Sequence, residues 1–262
     1  MPLDAICLKG LTRELADILP GAKIDKIQQP ERDMVLLSLR AKSGNCRLMI
    51  AAGSGNARVH LTQASYENPA EPPMFCMLLR KHLSGARIAA IMQPEHERML
   101  ILELETHDDL GFETRKKLIV EMMGRSSNLI LVDSDGRILD CMHRMDFGGD
   151  ALRSLLPGMI YRMPPSQSKP NLFDTTSEER RAAIQAADTD RPMDKWLLES
   201  YAGLSPLICR ELAFRCAGDY AQLPALLDAF TESVEAGELQ PYLFYEVLIS
   251  ERIPVTPNDE TT

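Results

Sequence analysis

Apolar residues recur along this chain with two different periods, and the change between them falls near residue 173. Over residues 8–19, Leu11, Leu15, Ile18 and Leu19 share one helical face, and Pro20-Gly21 stops the run. Beyond it the period becomes two. Residues 34–40 put Val35, Leu37 and Leu39 on one side, and strands 47–52 and 57–62 follow around a Gly53-Ser54-Gly55-Asn56 turn. Residues 69–73 break the pattern, and 74–83 read as a helix with Phe75, Leu78, Leu79 and His82 at helical spacing. Strands resume at 87–93, 98–106, 116–123, 128–132 and 137–144, the last two joined by Asp133-Ser134-Asp135-Gly136. Roughly eight strands with two helices predict an α+β first domain, a strand-rich sandwich or barrel.

Pro157, Pro164, Pro165 and Pro170 mark an extended segment leaving that domain. After Phe173 the period is helical over 178–187, 192–201, 206–217, 223–235 and 241–248, several runs opening with proline near the first turn. The polar tail is expected to be disordered. The predicted organisation is therefore a β-rich domain over 1–173, an all-α domain over 174–253 and a tail over 254–262.

Charge divides at the same place. The net charge is −9, but residues 1–170 carry 22 Lys and Arg against 21 Asp and Glu, and residues 171–262 carry 7 against 17. A polyanion would meet the first part and be repelled by the second. No run approaches the ~18 apolar residues of a membrane helix. Met1-Pro2-Leu3-Asp4 lacks the basic-then-apolar start of an export signal. Cys7, Cys46, Cys76, Cys141, Cys209 and Cys216 form no CxxC pair, and all but Cys46 lie in apolar stretches. They read as buried free thiols of a cytoplasmic protein. His60, His82, His96, His107 and His143 lack metal-ligand spacing, so neither a metal nor a cofactor is expected.

Two runs stand out: Pro72-Pro73-Met74-Phe75-Cys76-Met77-Leu78-Leu79-Arg80-Lys81-His82-Leu83, and Glu121-Met122-Met123-Gly124-Arg125-Ser126-Ser127-Asn128-Leu129-Ile130-Leu131. Neither holds an enzyme triad, a metal set or a phosphate loop. In the second, alternation puts Leu118, Val120 and Met122 on the core face and Glu121 and Met123 on the other. In the first, the polar helix end Arg80-Lys81-His82, with Arg87 and Arg58, is the candidate basic patch; a solvated helix end is the competing reading. Glu97-Arg98 opens a strand after the Pro94-Glu95-His96 turn, either as a solvated pair or as a contact. Leu197-Leu198-x-x-Tyr201-Ala202-Gly203-Leu204-Ser205-Pro206-x-x-Cys209-x-x-Leu212 resembles a helix-hairpin-helix, a motif whose amides can bind phosphate. Ser205 replaces its second glycine and the surroundings are acidic, which favours a packing turn.

Further stretches occur in order with these: Gly21-x-x-Ile24-Asp25-Lys26-Ile27-x-Gln29-Pro30, Ala57-Arg58-x-His60-Leu61-Thr62, Leu156-Pro157-Gly158 and Pro164-Pro165-x-Gln167-x-Lys169. Together they make the chain resemble, over essentially its whole length, the N-terminal region of the NFACT family of RqcH- and NEMF-like proteins, also catalogued as the fibronectin-binding protein A family. The resemblance implies a first domain similar to the N-terminal domain of formamidopyrimidine-DNA glycosylases, followed by a helix-hairpin-helix-like domain. It implies binding rather than enzymatic activity. Such proteins act in ribosome-associated quality control: they engage the stalled large ribosomal subunit, recruit tRNA, chiefly alanine tRNA, and promote C-terminal tailing of the nascent chain.

By resemblance, tRNA or RNA contact is implied for Glu97, Arg98, Glu121, Met122, Met123 and Arg125, to which the basic helix end adds Arg80 and Lys81. The family's usual Asp-Arg is here Glu97-Arg98, and its usual Glu-Ile-Met is Glu121-Met122-Met123. Ser126 stands where a histidine or tyrosine is frequent, which removes a stacking ring. Full-length relatives continue into a coiled coil and another globular domain, so the chain resembles an N-terminal fragment or a truncated homologue. One alternative is an adhesin binding fibronectin, against which the missing export signal counts. Another is a DNA glycosylase using the Pro2 amine as nucleophile, disfavoured by Leu3 in place of an acid and by the missing four-cysteine zinc cluster.

Overall fold

The computed structural model describes residues 3–94, 97–108, 110–145, 153–165 and 167–240, with the backbone of Tyr242–Leu243 and Ile253–Pro254. The expectations at Pro2, at Glu95-His96 and for the tail from 255 onward lie outside the described residues. The chain forms two compact units, Met1–Asn171 with Leu198–Ser205, and Leu172–Leu197 with Pro206–Thr262.

In the first unit, α1 (Ala5–Ile18) begins where the extended Asp4 accepts the amides of Ile6 and Cys7 at 3.1 and 2.8 Å. This satisfies two of the donors that a helix start leaves unpaired. Leu8, Leu15 and Leu19 are fully buried, each contributing ~2 kcal/mol. Cys7 lies one helical step, ~100°, from Leu8, and is exposed rather than buried as its apolar neighbours suggested.

The strands are β1 (Lys23–Glu31), β2 (Met34–Ala41), β3 (Gly44–Ala51) and β4 (Arg58–Leu61). After α2 (Met74–Leu83) come β5 (Arg87–Met92), β6 (Met99–His107), β7 (Glu113–Glu121), β8 (Asn128–Val132) and β9 (Ile138–Cys141). They form one antiparallel sheet in the order β4-β3-β2-β1-β5-β6-β7-β8-β9.

The period-two reading did not include β1. Its core residues Ile24 and Ile27 are three apart, and a bulge at Asp25 brings both to one face. In β5, Ile88 and Ile91 repeat the spacing, with the irregularity between Ile88 and Ala90. These two bulged strands meet: Ile24 donates to the Ala86 carbonyl at 2.9 Å and Ile88 to that of Ala22 at 3.0 Å. Bulges raise local twist, and the sheet curls far enough that His143, beyond β9, lies 3.4 Å from Asp33 in the β1–β2 turn.

The main core fills the inner side between the sheet, α1 and α2, with Leu37, Ile50, Leu79, Leu102, Leu118 and Val120 among its members. The other face of β6–β9 is covered as well. There Met99, Ile101, Ile119 and Ile130 pack with Leu155 and Tyr161. Residues 155–161 run beside β9: Ile138 donates to Met159 and Gly158 to Ile138, both at 2.8 Å, and Tyr161 donates to Gly136 at 2.8 Å.

The stretch 198–205 also belongs to this unit. Ala202 bridges Asn171, and its amide donates to the Pro170 carbonyl at 2.8 Å. At the hairpin the Ser205 hydroxyl donates to Asp4 Oδ2 at 2.9 Å. The hydroxyl that replaces the motif's second glycine is therefore engaged by a carboxylate, which would repel a phosphate.

The second unit is helical. It contains α3 (Ser177–Gln185), the first part of α4 (Met193–Ser200), α5 (Pro206–Arg215) and α6 (Leu223–Ala236). Thr176 and Glu179 form a capping box at the start of α3. Arg180 donates through Nε and Nη2 to Asp228 at 3.0 and 2.8 Å, tying α3 to α6. Trp196 stacks edge-on against Tyr220 at 5.8 Å. The helix expected over 241–248 falls mostly outside the described residues; within it, Tyr242–Leu243 is a short strand paired with Ile253–Pro254.

Candidate functional site

The start of β6 and the end of β7 lie side by side, which brings Glu97-Arg98 to Glu121-Met122-Met123. Met99 pairs with Glu121 and Leu100 with Val120. One rung further, the Met122 amide donates to the Arg98 carbonyl at 2.9 Å. The backbone at Arg98 is thus held in the ladder while its side chain is exposed. Glu97 is half-buried; its amide donates to Pro94 at 2.7 Å and its carbonyl accepts Gln93 Nε2 at 2.8 Å. Gln93 Nε2 also reaches the Ala5 carbonyl at 2.8 Å, fixing this turn against the start of α1.

From Met123, half-buried, the chain enters a 3-10 turn over Gly124–Ser126 that leaves Arg125 and Ser126 exposed. Gly124 has φ +59°, a conformation costly for residues with a Cβ. The buried Asn128 closes the turn. Its Nδ2 donates to the His143 carbonyl at 2.7 Å, and its Oδ1 accepts the amides of His143 and Leu129 at 3.0 and 2.9 Å.

Two of the expected contact residues are interior. Met122 is in the main core, on the face that alternation assigned to it. Glu121 is on the opposite face, also as alternation required, but that face is not open to solvent and Glu121 is 0 % exposed. The reason is tertiary. Arg153 donates to Glu121 Oε2 from Nη1 at 3.1 Å and to Oε1 from Nη2, and the Tyr161 hydroxyl donates to Oε1 at 2.7 Å. A buried carboxylate needs such a partner, because an unpaired one would carry a large desolvation cost.

Arg80 and Lys81 are not part of this cluster. Thr106, at the far end of β6, donates to the carbonyl of His82 at 3.0 Å. At ~3.3 Å per strand residue, that end lies about 25 Å from Arg98. Arg80 is half-buried and donates from Nε to the Ile27 carbonyl at 2.9 Å, a bond that seats α2 on β1. Lys81 is exposed. Nearby, Arg87 and Arg115 line a cleft of about 430 Å³ together with Glu105 and Glu113, so its charges are mixed.

The exposed guanidinium groups of Arg98 and Arg125 thus stand on a hydrogen-bonded backbone frame. The neighbouring acidic protons are held on. Burial, with the charge of Asp140, pushes the Cys141 thiol up to about 12. Burial and the adjacent Glu121 raise Tyr161 well above its ordinary value. Among the described residues, no group of three or more His, Cys, Asp or Glu side chains is placed to hold a metal ion. No described helix is long and apolar enough to cross a membrane.

The sequence reading missed Arg153, Tyr161 and Asn128. The available signal was Arg153 itself, a lone charge within Leu152-Arg153-Ser154-Leu155-Leu156.

Among solved structures, the N-terminal part of the fibronectin/fibrinogen-binding protein from Streptococcus suis is similar with a TM-score of 0.81 at 31% identity, covering 93% of this chain and 88% of that one. Among curated proteins, the Rqc2 homolog RqcH of Bacillus subtilis is 37% identical over 240 residues, covering 90% of this chain and 41% of its own length. A more distant relative, ribosome quality control complex subunit 2 of Saccharomyces cerevisiae, is 28% identical over 199 residues, covering 74% of this chain and 17% of its own. The chain thus spans about two fifths of the length of its Bacillus relative. The profile of the NFACT N-terminal and middle domains matches residues 4–261, and the chain belongs to that family.

Proposed function

We propose that this chain is the RNA-contacting part of a ribosome-associated quality control factor, binding tRNA and the stalled large ribosomal subunit so that nascent chains are extended at their C termini. The observation that carries the reading is the shared strand end: Arg98 exposed on a backbone bonded to Met122, with Arg125 exposed on the following turn, in a chain 37% identical to RqcH. Guanidinium groups held on a fixed frame suit phosphates and the unstacked bases of folded RNA. The role is binding rather than catalysis; the ribosome supplies the peptide-bond chemistry, in the cytoplasm. Alanine tRNA is the expected RNA. On this reading the likeness to glycosylase N-terminal domains and to a helix-hairpin-helix concerns scaffold, not DNA chemistry.

Residues 1–170 are close to neutral overall, so binding must come from local clustering and be salt-sensitive. Titration with alanine tRNA at rising salt tests this, with a log–log slope of about −2 expected for roughly two or three neutralised phosphates. Absence of binding to both tRNA and large subunits would sink the proposal. Fibronectin in a parallel assay addresses the adhesin reading suggested by the name of the Streptococcus neighbour; fibronectin binding without RNA binding would favour it.

A further inference from the structure

On the reading that Arg98 contacts RNA, we infer that Glu121 is a positioning residue. Its carboxylate does not touch the ligand. Through Arg153 and Tyr161 it anchors the segment 153–162 over the sheet, and with it the strand end that presents Arg98.

Three observations carry this. First, Glu121 is fully buried and its carboxylate is occupied by the Arg153 fork and the Tyr161 hydroxyl. A ligand would have to displace an ion pair in a water-poor site to reach it, and an RNA phosphate would then meet a negative charge. Second, both partners are held in turn. Arg153 Nε donates to the Arg162 carbonyl at 2.7 Å, and its guanidinium lies 5.4 Å from the centre of the Tyr161 ring. The carboxylate is thus the hub that closes 153–162 on itself. Third, the hub reaches Arg98 through its chain neighbour Met99. Glu121 is the ladder partner of Met99, and the Tyr161 oxygen lies 3.2 Å from Met99 Sδ. Met99 follows Arg98, whose carbonyl accepts the amide of the residue after Glu121. Loosening Glu121 therefore loosens the two rungs that aim Arg98.

The test compares Glu121→Ala with the neutral pair Glu121→Gln/Arg153→Met, taking Arg98→Ala as the reference for a lost contact. Three readouts are taken on the whole chain: melting, tryptic cleavage at Arg162, which every variant retains, and binding of total tRNA. Glu121→Ala should melt roughly 10 °C lower, since it leaves the mostly covered Arg153 guanidinium without its counter-charge. It should also be cut faster at Arg162 and bind tRNA as weakly as Arg98→Ala. The neutral pair removes both charges together and keeps the Tyr161 hydroxyl bond to residue 121, so it should melt higher, resist trypsin longer and bind tRNA more tightly than Glu121→Ala, the three recovering together.

A neutral pair that melts and resists trypsin normally, yet binds tRNA as weakly as Arg98→Ala, would overturn the inference, because the carboxylate would then be a contact. If the pair does not fold, Tyr161→Phe decides. It keeps the ion pair but frees Met99, and should weaken tRNA binding; unchanged binding refutes positioning. If wild type binds no tRNA, the functional reading fails by itself, and unchanged tryptic protection in Glu121→Ala would separately refute the anchor.

Discussion

The amide of Met122 donates to the carbonyl oxygen of Arg98 at 2.9 Å, joining two motifs that lie more than twenty residues apart in the chain. The bond uses backbone atoms only, so the Arg98 side chain can be removed without touching it. Arg98→Ala should weaken tRNA binding by ~1–3 kcal/mol if the guanidinium reads a base. Stability should change by less than ~0.5 kcal/mol, as for an exposed side chain. Binding and melting measured side by side check both; normal binding with early melting would make Arg98 structural.

The separation of the basic residues into two groups gives a second expectation. Arg125→Ala should lower the salt slope of tRNA binding by about 1, the loss of one phosphate contact. Lys81→Ala, about 25 Å from Arg98 along β6, should leave affinity and slope alone. Equal losses for the two would show that RNA spans both ends of the strand.

Gly203 has φ +83°, and a Cβ there would lie 2.9 Å from Asn171 Oδ1. Gly203→Ala should therefore destabilise by about 1–3 kcal/mol, read as a shift in the urea midpoint. A neutral result would mean that Asn171 rotates away at no cost.

Asp228 sets a pH dependence. Burial pushes its carboxyl up, but hydrogen bonds from Arg180 and Ser177 and the charges of Arg180 and Arg181 outweigh burial and hold it below its ordinary value. A group lowered in the folded state adds stability that is full above the unfolded value of ~4 and is lost as pH falls through the folded value. Trp196, the chain's one tryptophan, is buried in the same unit and reports its melting by fluorescence. The melting temperature of that unit should drop below pH ~4. Asp228→Asn should melt lower at neutral pH and lack that component of the drop; an identical acid profile in the mutant would assign it elsewhere.

The stretch 198–205 packs with the first unit, through the Asn171–Ala202 bridge and the Ser205–Asp4 bond. A fragment ending at Asn171 should therefore melt below the same unit in the whole chain. Equal melting would make 198–205 dispensable.

Periodicity alone determined much of this molecule, because it records which side of a local element meets apolar neighbours. It placed Leu118, Val120 and Met122 on the core face of β7, and located α1 to α6 by their spacing and their proline and glycine boundaries. It also indicated which positions leave the core face, Glu121 among them. It missed β1, because a bulge at Asp25 turns a spacing of two into three. Whether the second face of β7 meets water could not be read locally. It depends on Arg153 and Tyr161, more than thirty residues away, folding back over that face. The distance between Arg98 and Lys81 was equally closed to the sequence, since both carry exposed positive charge and only the direction of β6 separates them. Alternation names a face; only the tertiary fold decides what covers it.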